Sequence, residues 1–548
     1  ISAQSHHHQS STRILEVTLM ASGIGFSQLP ARRFAFVFPM ASGHINPSLP
    51  IARVLVELGH EVHYLCREQM REAIEDTGAE FHSEIQLKPE LFGGREADLF
   101  GATTSLRREH GLMDEASLVG VFKLGGVQME LAMPGMVRWL HDLRPSAVVY
   151  CPMMSKEASY ASKALDIPSV ALLTTAGPGS MKTALEEILA SMGMTTQDMR
   201  EAMGFSASAI AAQRVMDTHG IRLNLQSILE PVGYLEVLEH SNVTLVTTSE
   251  DLQDPMTPEL RAAYEKHGVS FAAVGPLLDR EGACRAAGHK YNHAEQAVVG
   301  DCSDGVEKTF GDPISALPGV RQARAAGRRV VLVSMGTVVT GDSPEFGWEG
   351  RSVGADGQPQ GLTGKELCRA VWAAAFDACG AKSAEEGPLL VVALGPQPNS
   401  LGDVQPPPNA ICLPVVPQVD VLRAGVDVFL THGGQNSFTE ALANAAPVVV
   451  CPGFGDQAVN ARKAERLGVG LQVPRPEPEA GGETAAAAAF RACVASALRE
   501  VLNGRSFGQA AAACSERLRS AGGVPRAVEL VLAASTSQPR TWKAFAGA

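Results

Sequence analysis

Short apolar segments that alternate with helical patterns constrain the fold of this chain more than any other feature of its sequence. In the first half, FAFVFP (34–39), EVHYLC (61–66), SAVVYC (146–151) and PSVALLT (168–174) have the length and apolar character of buried strands. Helical patterns such as NPSLPIARVLVELG (46–59) lie between them. Because a strand–helix–strand alternation needs crossover connections, it predicts a parallel sheet with helices on both faces.

The alternation fades near residue 275 and resumes near residue 328, after a segment rich in Gly, Ala, Asp and Pro that predicts a connector. Strand-like segments then return as RRVVLVS, LLVVAL, AICLP, DVFLT and PVVVCP. We therefore predict an α/β protein of two doubly wound, Rossmann-like domains that face each other across a cleft. The predicted parts are a disordered N-terminal extension (1–33), a first domain (34–276), an interdomain linker (277–327) and a second domain with terminal helices (328–548).

Charge and cysteine spacing exclude several classes of protein. The net charge is -13 and no long Lys/Arg run offsets it, which argues against a nucleic-acid partner. No apolar run reaches the ~18 residues that a transmembrane helix needs. The 10 cysteines form no CxxC pair and no Cys/His zinc spacing, so we expect a reduced, cytoplasmic protein. The apolar segment after Arg13 leaves a targeting segment open, and the His run at 6–8 is interpreted as part of a flexible tail.

The segment THGGQNSFTEAL (431–442) predicts a ligand site at a strand-to-helix junction. His432 follows the strand DVFLT, and Gly433 and Gly434 permit a tight turn and close approach of a ligand. Asn436 and Ser437 fall in the first helical turn, where free N–H groups and the helix dipole favour an anion. In doubly wound sheets ligands bind outside the carboxyl ends of the strands, which indicates a nucleotide phosphate. The alternative is an ordinary turn in which Asn and Ser cap the helix.

Two neighbouring motifs favour the ligand site. PQ (417–418) precedes this segment and DQ (456–457) follows the next strand. The ordered set PQ, HGGxNSxxE and DQ resembles the donor-binding signature of family 1 glycosyltransferases, the UDP-glycosyltransferase and macrolide-glycosyltransferase group. The resemblance implies the two-domain GT-B fold, with acceptor binding in the first domain and nucleotide-sugar binding in the second.

The resemblance also implies a role for each donor-site residue. Gln418 would contact the nucleoside, and Glu440 would bind the ribose. His432, Asn436 and Ser437, after Gly434, would hold the phosphates, and Asp456 and Gln457 the transferred sugar. The segment SMGT looks like the family's second phosphate loop and contains Ser334, Gly336 and Thr337. Val415 stands where the family usually has a Trp that stacks on uracil. UDP remains the expected nucleotide, although another pyrimidine diphosphate is less excluded than usual.

The first domain supplies the expected catalytic histidine. His44 lies in PMASGHINPSLP, a context that resembles the family's PxxxGHxxP motif. A neutral imidazole at a helix N-terminus suits a general base, whereas the alternative is a His that only caps the helix. The family's histidine is normally oriented by an aspartate, but Cys151 stands at that position in VVYC. Either another acid substitutes, for which Asp114, Glu115 and Glu157 are candidates, or His44 acts unaided.

The remaining features complete the expected function. No DxD motif occurs, so we expect neither a metal nor a cofactor. Eleven of the 17 methionines lie between Met113 and Met203, which indicates either core packing or an adaptable apolar acceptor pocket. The sequence thus predicts inverting hexosyl transfer from a UDP-sugar to a hydroxyl of a small lipophilic acceptor. A nucleotide-sugar epimerase of the same fold and a catalytically degenerate nucleotide-sugar-binding protein are the alternatives.

Overall fold

The computed structural model describes residues 30–286, 316–343, 346–353, 359–478 and 481–536. Most of the predicted N-terminal extension and most of the predicted linker lie outside these residues. The boundaries predicted for the two domains therefore stay predictions.

The first half of the chain forms a seven-stranded parallel sheet in the order β3-β2-β1-β4-β5-β6-β7. Most of its strands form where apolar runs predict them, because a strand covered by helices on both faces has no solvent side and needs no polar alternation. The strands Glu80–Ser83 and Phe271–Ala273 were not predicted. Two hydrophobic cores flank the sheet, with Phe34 and Phe36 on one face and Ala35 and Val37 on the other. The strands are β1 Arg33–Val37, β2 Glu61–Cys66, β3 Glu80–Ser83, β4 Ala147–Tyr150, β5 Ser169–Leu173, β6 Val243–Val246 and β7 Phe271–Ala273.

Thirteen α-helices are described in this half. The predicted helix 46–59 begins as a 3-10 turn, Asn46–Ser48, because Pro47 has no N–H to donate, and it continues as Leu49–Glu57. Between Met181 and Val237 the chain is mainly helical. The helices are Ser42–Ile45, Leu49–Glu57, Arg71–Glu75, Glu84–Leu87, Pro89–Phe92, Thr103–Glu109, Ser117–Lys123, Gly125–Leu143, Lys156–Ala164, Ser180–Ser191, Thr196–Met203, Ser206–His219 and Pro258–Lys266.

The second half forms a six-stranded parallel sheet in the order β12-β11-β8-β13-β14-β15. Each of its five predicted strands is present, and β15 is an additional one. The Gly-rich insert after β8 carries a small antiparallel pair, β9 and β10. The strands are β8 Val330–Ser334, β9 Ser352–Val353, β10 Pro359–Gln360, β11 Leu389–Ala393, β12 Ala410–Leu413, β13 Val428–Thr431, β14 Val448–Val450 and β15 Gly470–Gln472.

Helices cover both faces of this second sheet. The best-capped of them begins with a reciprocal capping box, in which Thr363 and Glu366 satisfy each other's backbone N–H groups. The helices are Ala316–Ala325, Gly364–Cys379, Gln418–Gly425, Gln435–Ala443, Asp456–Arg466, Glu483–Asn503, Arg505–Ser520 and Gly523–Ala534. No helix in the described part of the chain is long and apolar enough to cross a membrane.

The last helix, Gly523–Ala534, packs on the first sheet rather than the second. Its Val528 and Val531 belong to the same core as Phe34, and the Arg32 guanidinium donates to the Leu532 carbonyl at 3.2 Å. The sequence prediction groups this helix with the second domain. Its apolar stripe shows that it needs a partner surface but carries no information about which surface it is.

The chain passes between the two halves twice, once after β7 and once before the last helix. The residues that follow β7 and those that precede the last helix lie side by side. The Gly523 N–H donates to the Val274 carbonyl at 2.6 Å. A Cβ atom on Gly275 would lie 2.7 Å from the Leu518 carbonyl oxygen. Gly275, Gly522 and Gly523 all have positive φ, which glycine adopts without steric cost.

Residues that follow strands of both sheets line one cleft between the two halves. Its volume is about 1400 Å³. His44 and Thr174 reach it from the first sheet, and Ser334, His432 and Asp456 from the second. The cleft therefore lies at the carboxyl ends of both sets of strands, where doubly wound folds bind their ligands.

Candidate active site

All thirteen residues that the sequence analysis assigns to the site line this cleft. On the first half the residue is His44. On the second half they are Ser334, Gly336, Thr337, Val415, Gln418, His432, Gly434, Asn436, Ser437, Glu440, Asp456 and Gln457. The fold therefore brings together residues up to 413 positions apart in the sequence, since His44 and Gln457 face the same space.

His432 lies between two glycines at the start of the helix Gln435–Ala443. A Cβ atom on Gly336 would lie 2.4 Å from two atoms of the His432 ring, and one on Gly434 would lie 2.6 Å from its Nε2. Both glycines are therefore needed to make room for the imidazole itself. Burial lowers the pKa of His432 to about 4, although a hydrogen bond to the Ser334 backbone opposes the shift. The ring is neutral at neutral pH and has one N–H to donate.

The N-terminus of the helix Gln435–Ala443 points its backbone N–H groups into the cleft. Its N-cap residue is Gly434, which has no side chain to accept a hydrogen bond from the free N–H groups. The Gln435 N–H donates to the Asp456 carboxylate at 3.0 Å, which leaves the following N–H groups available to an anion. The Asn436 amide donates across the cleft to the Gly43 carbonyl at 2.8 Å. This side chain therefore links the two halves, a contact that the sequence does not predict.

Glu440 is held by two partners. The Gln418 amide donates to one carboxylate oxygen at 2.7 Å and also contacts the Ser437 hydroxyl at 3.1 Å. The Arg285 guanidinium binds the other carboxylate oxygen at 2.6 Å. Only 7% of the Glu440 side chain is exposed, so this ion pair is well shielded from water. Arg285 lies in the connector, 155 residues from Glu440, and no motif in the sequence points to it.

Asp456 and Gln457 occupy the start of the helix Asp456–Arg466. Burial raises the pKa of Asp456 to about 6, despite its hydrogen bond from the Gln435 backbone. The Gln457 side-chain oxygen accepts from the Gly453 N–H at 2.8 Å. Both side chains are thus fixed by the backbone loops around them. On the neighbouring loop, the hydroxyls of Thr337 and Ser42 lie 3.2 Å apart and form a second polar bridge across the cleft.

His44 is the histidine of the opposite wall. Its Nδ1 lies 3.3 Å from the Cys151 Sγ and 3.2 Å from the Thr174 Oγ1. Burial lowers the pKa of His44 to about 4, so the ring is neutral above that pH. With Nδ1 engaged by these two groups, Nε2 is the nitrogen that can take a proton from a ligand. Burial, rather than the short helix Ser42–Ile45, is the cause of the neutral state.

Cys151 occupies the predicted position beside His44, but it carries no charge. Burial raises the pKa of its thiol to about 11. Among the three candidate acids, Glu157 is paired with Lys88 at 2.6 Å and Glu115 with Lys123 at 2.6 Å. Asp114 is exposed. The described contacts of His44 thus come from a thiol and a hydroxyl, and Thr174 was missed although it stands at the end of a predicted strand.

The wall around His44 contains many apolar side chains and several charged ones. Five of the eleven clustered methionines line the cleft, while others, such as Met133 and Met199, are fully buried in the cores. The cluster is therefore divided between the cores and the lining of the cleft, and its role in acceptor binding stays a prediction. Lys156 also lines this wall, and burial lowers its pKa. The lining methionines are Met129, Met153, Met154, Met181 and Met203.

Sequence comparisons identify relatives of both halves. The family model described as "UDP-glucoronosyl and UDP-glucosyl transferase" matches residues 389–516. The uncharacterized UDP-glucosyltransferase YojK of Bacillus subtilis is 33% identical over 136 residues, which cover 25% of this chain and 30% of YojK. The NDP-glycosyltransferase YjiC of Bacillus licheniformis is 21% identical over 444 residues, which cover 80% of this chain and 83% of YjiC.

Comparison of the structures identifies the same architecture. The crystal structure of the glycotransferase of kitacinnamycin superimposes with a TM-score of 0.58 and 20% identity. The match covers 92% of this chain and 100% of that one. This similarity shows the GT-B fold, with its two parallel-sheet domains. The relatives agree with this fold, and over residues 389–516 the chain is similar to the family described as UDP-glucoronosyl and UDP-glucosyl transferase.

Proposed function

We propose that this protein transfers a hexosyl group from a UDP-sugar to a hydroxyl of a small lipophilic acceptor, with inversion at the anomeric carbon. The observation that carries the proposal is the pairing of two walls in one cleft. A neutral His44 lies on a wall that includes several methionines, and the helix N-terminus that follows His432 lies opposite. The first wall suits an apolar molecule with a hydroxyl, and the second suits a diphosphate.

In this mechanism His44 acts as the general base. Its Nε2 takes the proton of the acceptor hydroxyl while the acceptor oxygen attacks the anomeric carbon of the sugar. The bond between that carbon and the phosphate oxygen breaks, and UDP leaves with the electron pair. Attack from the face opposite the leaving group inverts the anomeric configuration. Thr174 and Cys151 hold the ring through Nδ1.

The second half stabilises the leaving diphosphate. The His432 N–H and the backbone N–H groups at the start of the helix Gln435–Ala443 are fixed donors around the position of the phosphates. Such preorganised donors stabilise charge that develops in the transition state. Asp456 and Gln457 are the proposed contacts of the sugar hydroxyls. Val415 covers the base with less area than a Trp would.

A product screen tests the proposal. The protein is incubated with several UDP-sugars and a panel of lipophilic alcohols and phenols, and products are detected by mass. The panel includes acceptors with and without a carboxylate, because Lys156 offers a cation on the acceptor wall. Magnetic resonance of the product reports the anomeric configuration. A retained configuration contradicts the proposed displacement.

The two alternatives give different outcomes in the same screen. An epimerase converts the UDP-sugar without any acceptor, and none of the comparisons reported above supports it. A catalytically degenerate protein binds the UDP-sugar but releases neither UDP nor a glycoside. This second alternative is tested because the described partners of His44, a thiol and a hydroxyl, carry no charge.

Turnover is expected to survive an excess of EDTA. The proposed leaving-group stabilisation uses N–H donors and a helix N-terminus rather than a cation that bridges carboxylates to the diphosphate. Initial rates are measured with and without chelator, followed by addition of magnesium or manganese. Activity that is lost with EDTA and restored by either ion contradicts the proposal.

Removal of the Arg285 side chain is expected to tighten UDP binding several-fold, whereas Glu440→Gln is expected to weaken it several-fold. Glu440 is the proposed ribose ligand, and Arg285 now occupies one of its oxygens at 2.6 Å. Ribose hydroxyls must compete with that ion pair, so Arg285→Ala removes the competitor. Calorimetric titration with UDP measures both effects.

Two controls separate competition from misfolding. Arg526→Ala removes an arginine from an exposed surface pair with Glu529 and should leave UDP affinity unchanged. A UDP analogue without the ribose hydroxyls should show no penalty for Glu440→Gln. If Arg285→Ala weakens UDP binding as much as Glu440→Gln does, Arg285 is a ligand of the nucleotide and not its competitor.

A further inference from the structure

A second cluster of ligand-type side chains lies outside the cleft, at the edge of the first sheet. The adjacent parallel strands β2 and β3 each carry a Glu-x-His sequence, Glu61 with His63 and Glu80 with His82. In the sheet register His63 is paired with Glu80. Residues two apart on a strand point to the same face, so the two motifs place four potential ligands on one face of neighbouring strands.

Three of these side chains converge. The His63 Nδ1 lies 2.9 Å from the His82 Nε2. The two oxygens of Glu80 lie 3.4 Å from that His63 nitrogen and 3.5 Å from that His82 nitrogen. Ligand atoms bound at about 2.0–2.1 Å to a tetrahedral zinc ion are roughly 3.4 Å apart. The two Glu80 contacts match this separation, whereas the two histidine nitrogens, at 2.9 Å, must move apart by about 0.5 Å to share a cation.

Neighbouring residues fix the two rings. His82 packs against Trp139, with ring centroids 5.6 Å apart. The Nε2 of His63 faces the Glu61 carboxylate at 4.0 Å, and Arg33 holds that carboxylate at 2.8 Å. A carboxylate behind a ligating imidazole is the usual outer partner in metal sites, where it orients the ring and increases its basicity.

A metal-free arrangement satisfies these groups less well. If the rings share a hydrogen bond, one nitrogen donates and the other accepts. The Glu80 carboxylate, which lies about equally close to both, then faces the lone pair of the accepting nitrogen. A cation between the three groups replaces that repulsion with three attractive contacts.

We propose that His63, His82 and Glu80 form a zinc site. Two imidazoles and one carboxylate are a ligand set that Zn²⁺ accepts, with a fourth position left for water or a small ligand. A separate cavity of about 560 Å³ adjoins both histidines and is also lined by Gln86 and Asp142. Within the described part of the chain its lining shares no residue with the interdomain cleft. The zinc links the edge strand β3 to its neighbour β2 and takes no part in sugar transfer.

The test is a calorimetric titration with Zn²⁺ in a background variant with serine at positions 6, 7 and 8, which removes the His run. One equivalent is expected to bind. Loss of an outer-shell partner alone costs roughly 10–100-fold in affinity, so Glu61→Gln should fall in that range. His63→Ala, His82→Ala and Glu80→Gln should lose at least as much. His267→Ala is the control, because it removes a His–Glu pair that has no second histidine. Its affinity for Zn²⁺ should be unchanged.

Two further measurements keep the proposal testable if a variant folds poorly. Co²⁺ added to the background variant should give the visible absorption of a four-coordinate site, and Zn²⁺ should displace it. Zn²⁺ should also raise the melting temperature of the background variant, because it binds only the native state. The proposal is overturned if the background variant binds no stoichiometric Zn²⁺. It is equally overturned if His63→Asn and His82→Gln, once shown to be folded by circular dichroism, bind Zn²⁺ as tightly as the background variant.

Discussion

Replacement of His44 by alanine is expected to lower the rate of sugar transfer by roughly 10²–10⁴-fold, the usual effect of a lost general base. The fold should be retained, because His44 lies at the cleft surface rather than in a core. UDP affinity should change little, since the proposed nucleotide contacts come from the second half. Initial rates with saturating donor and acceptor measure the effect, and calorimetry with UDP is the control. Full activity in His44→Ala would remove the catalytic proposal and favour the binding-protein alternative.

The pH profile gives an independent check on His44. Its pKa is lowered from 6.5 to about 4 by burial, so the basic form is present at all pH values well above 4. Protonation of His44 should therefore affect the rate only toward pH 4, and a change near pH 6 would report Asp456, whose pKa burial raises to about 6. The unfolded chain binds protons near pH 6.5 that the native His44 and His432 do not bind. As pH decreases through this window, these two histidines therefore lower the free energy of unfolding. Circular dichroism at each pH shows whether the protein is still folded.

Two further variants change the partners of His44. Cys151→Asp places a carboxylate where a neutral thiol now lies 3.3 Å from Nδ1. A carboxylate there stabilises the imidazolium that forms as the proton is taken, so turnover should rise. Thr174→Val removes the hydroxyl and should lower turnover without changing UDP affinity. If Cys151→Asp abolishes activity in a folded protein, the carboxylate does not orient His44 productively and the proposed geometry of the base is wrong.

His432→Ala is expected to weaken UDP binding by ~1.5–3 kcal/mol, the worth of a hydrogen bond to a charged group. That free energy corresponds to a loss of affinity of roughly 10- to 150-fold. The ring lies between Gly336 and Gly434 at the lining of the cleft, where the proposed diphosphate would bind. Calorimetric titration with UDP measures the loss, and uridine, which lacks the phosphates, should bind both proteins equally.

Gly336→Ala tests the same contact through the backbone. A Cβ atom there would lie 2.4 Å from the His432 ring, and the glycine has a φ of +78°, so the ring must move. UDP affinity should fall in a folded protein. Gly508→Ala is the matched control, because nothing lies within 4 Å of its new Cβ atom. Unchanged UDP affinity in both His432→Ala and Gly336→Ala would show that His432 does not contact the phosphates.

Local patterns in the sequence predict most of the fold and the position of the site. The strand β4 forms within its predicted apolar run, because burial on both faces leaves a continuous signal. The residues of the HGGxNSxxE motif reach the cleft because a strand-to-helix junction places them at the carboxyl end of the sheet. Their chemical roles stay proposals, since position alone does not show which atoms they touch in a complex.

Contacts between distant segments could not be predicted in this way. Arg285 pairs with Glu440, and Thr174 contacts His44 from 130 residues away. The last helix joins the first sheet although its sequence shows only an amphipathic stripe. Each of these contacts depends on how complete elements pack together, and a single sequence contains no periodic signal for such packing. The pairing of His63 with His82 is of the same kind, since it depends on the register between β2 and β3.

The contact between Val274–Gly275 and Gly522–Gly523 restricts how the two halves can move relative to each other. A single flexible connection would let one half rotate in any direction and move away from the other half. Two segments joined by a hydrogen bond act as a pivot, so a rotation about that contact is the motion we expect. Points farther from the pivot travel farther for the same angle. The positive φ values of the three glycines make this pivot compliant, and a bulkier residue at Gly275 would meet the Leu518 carbonyl and stiffen it.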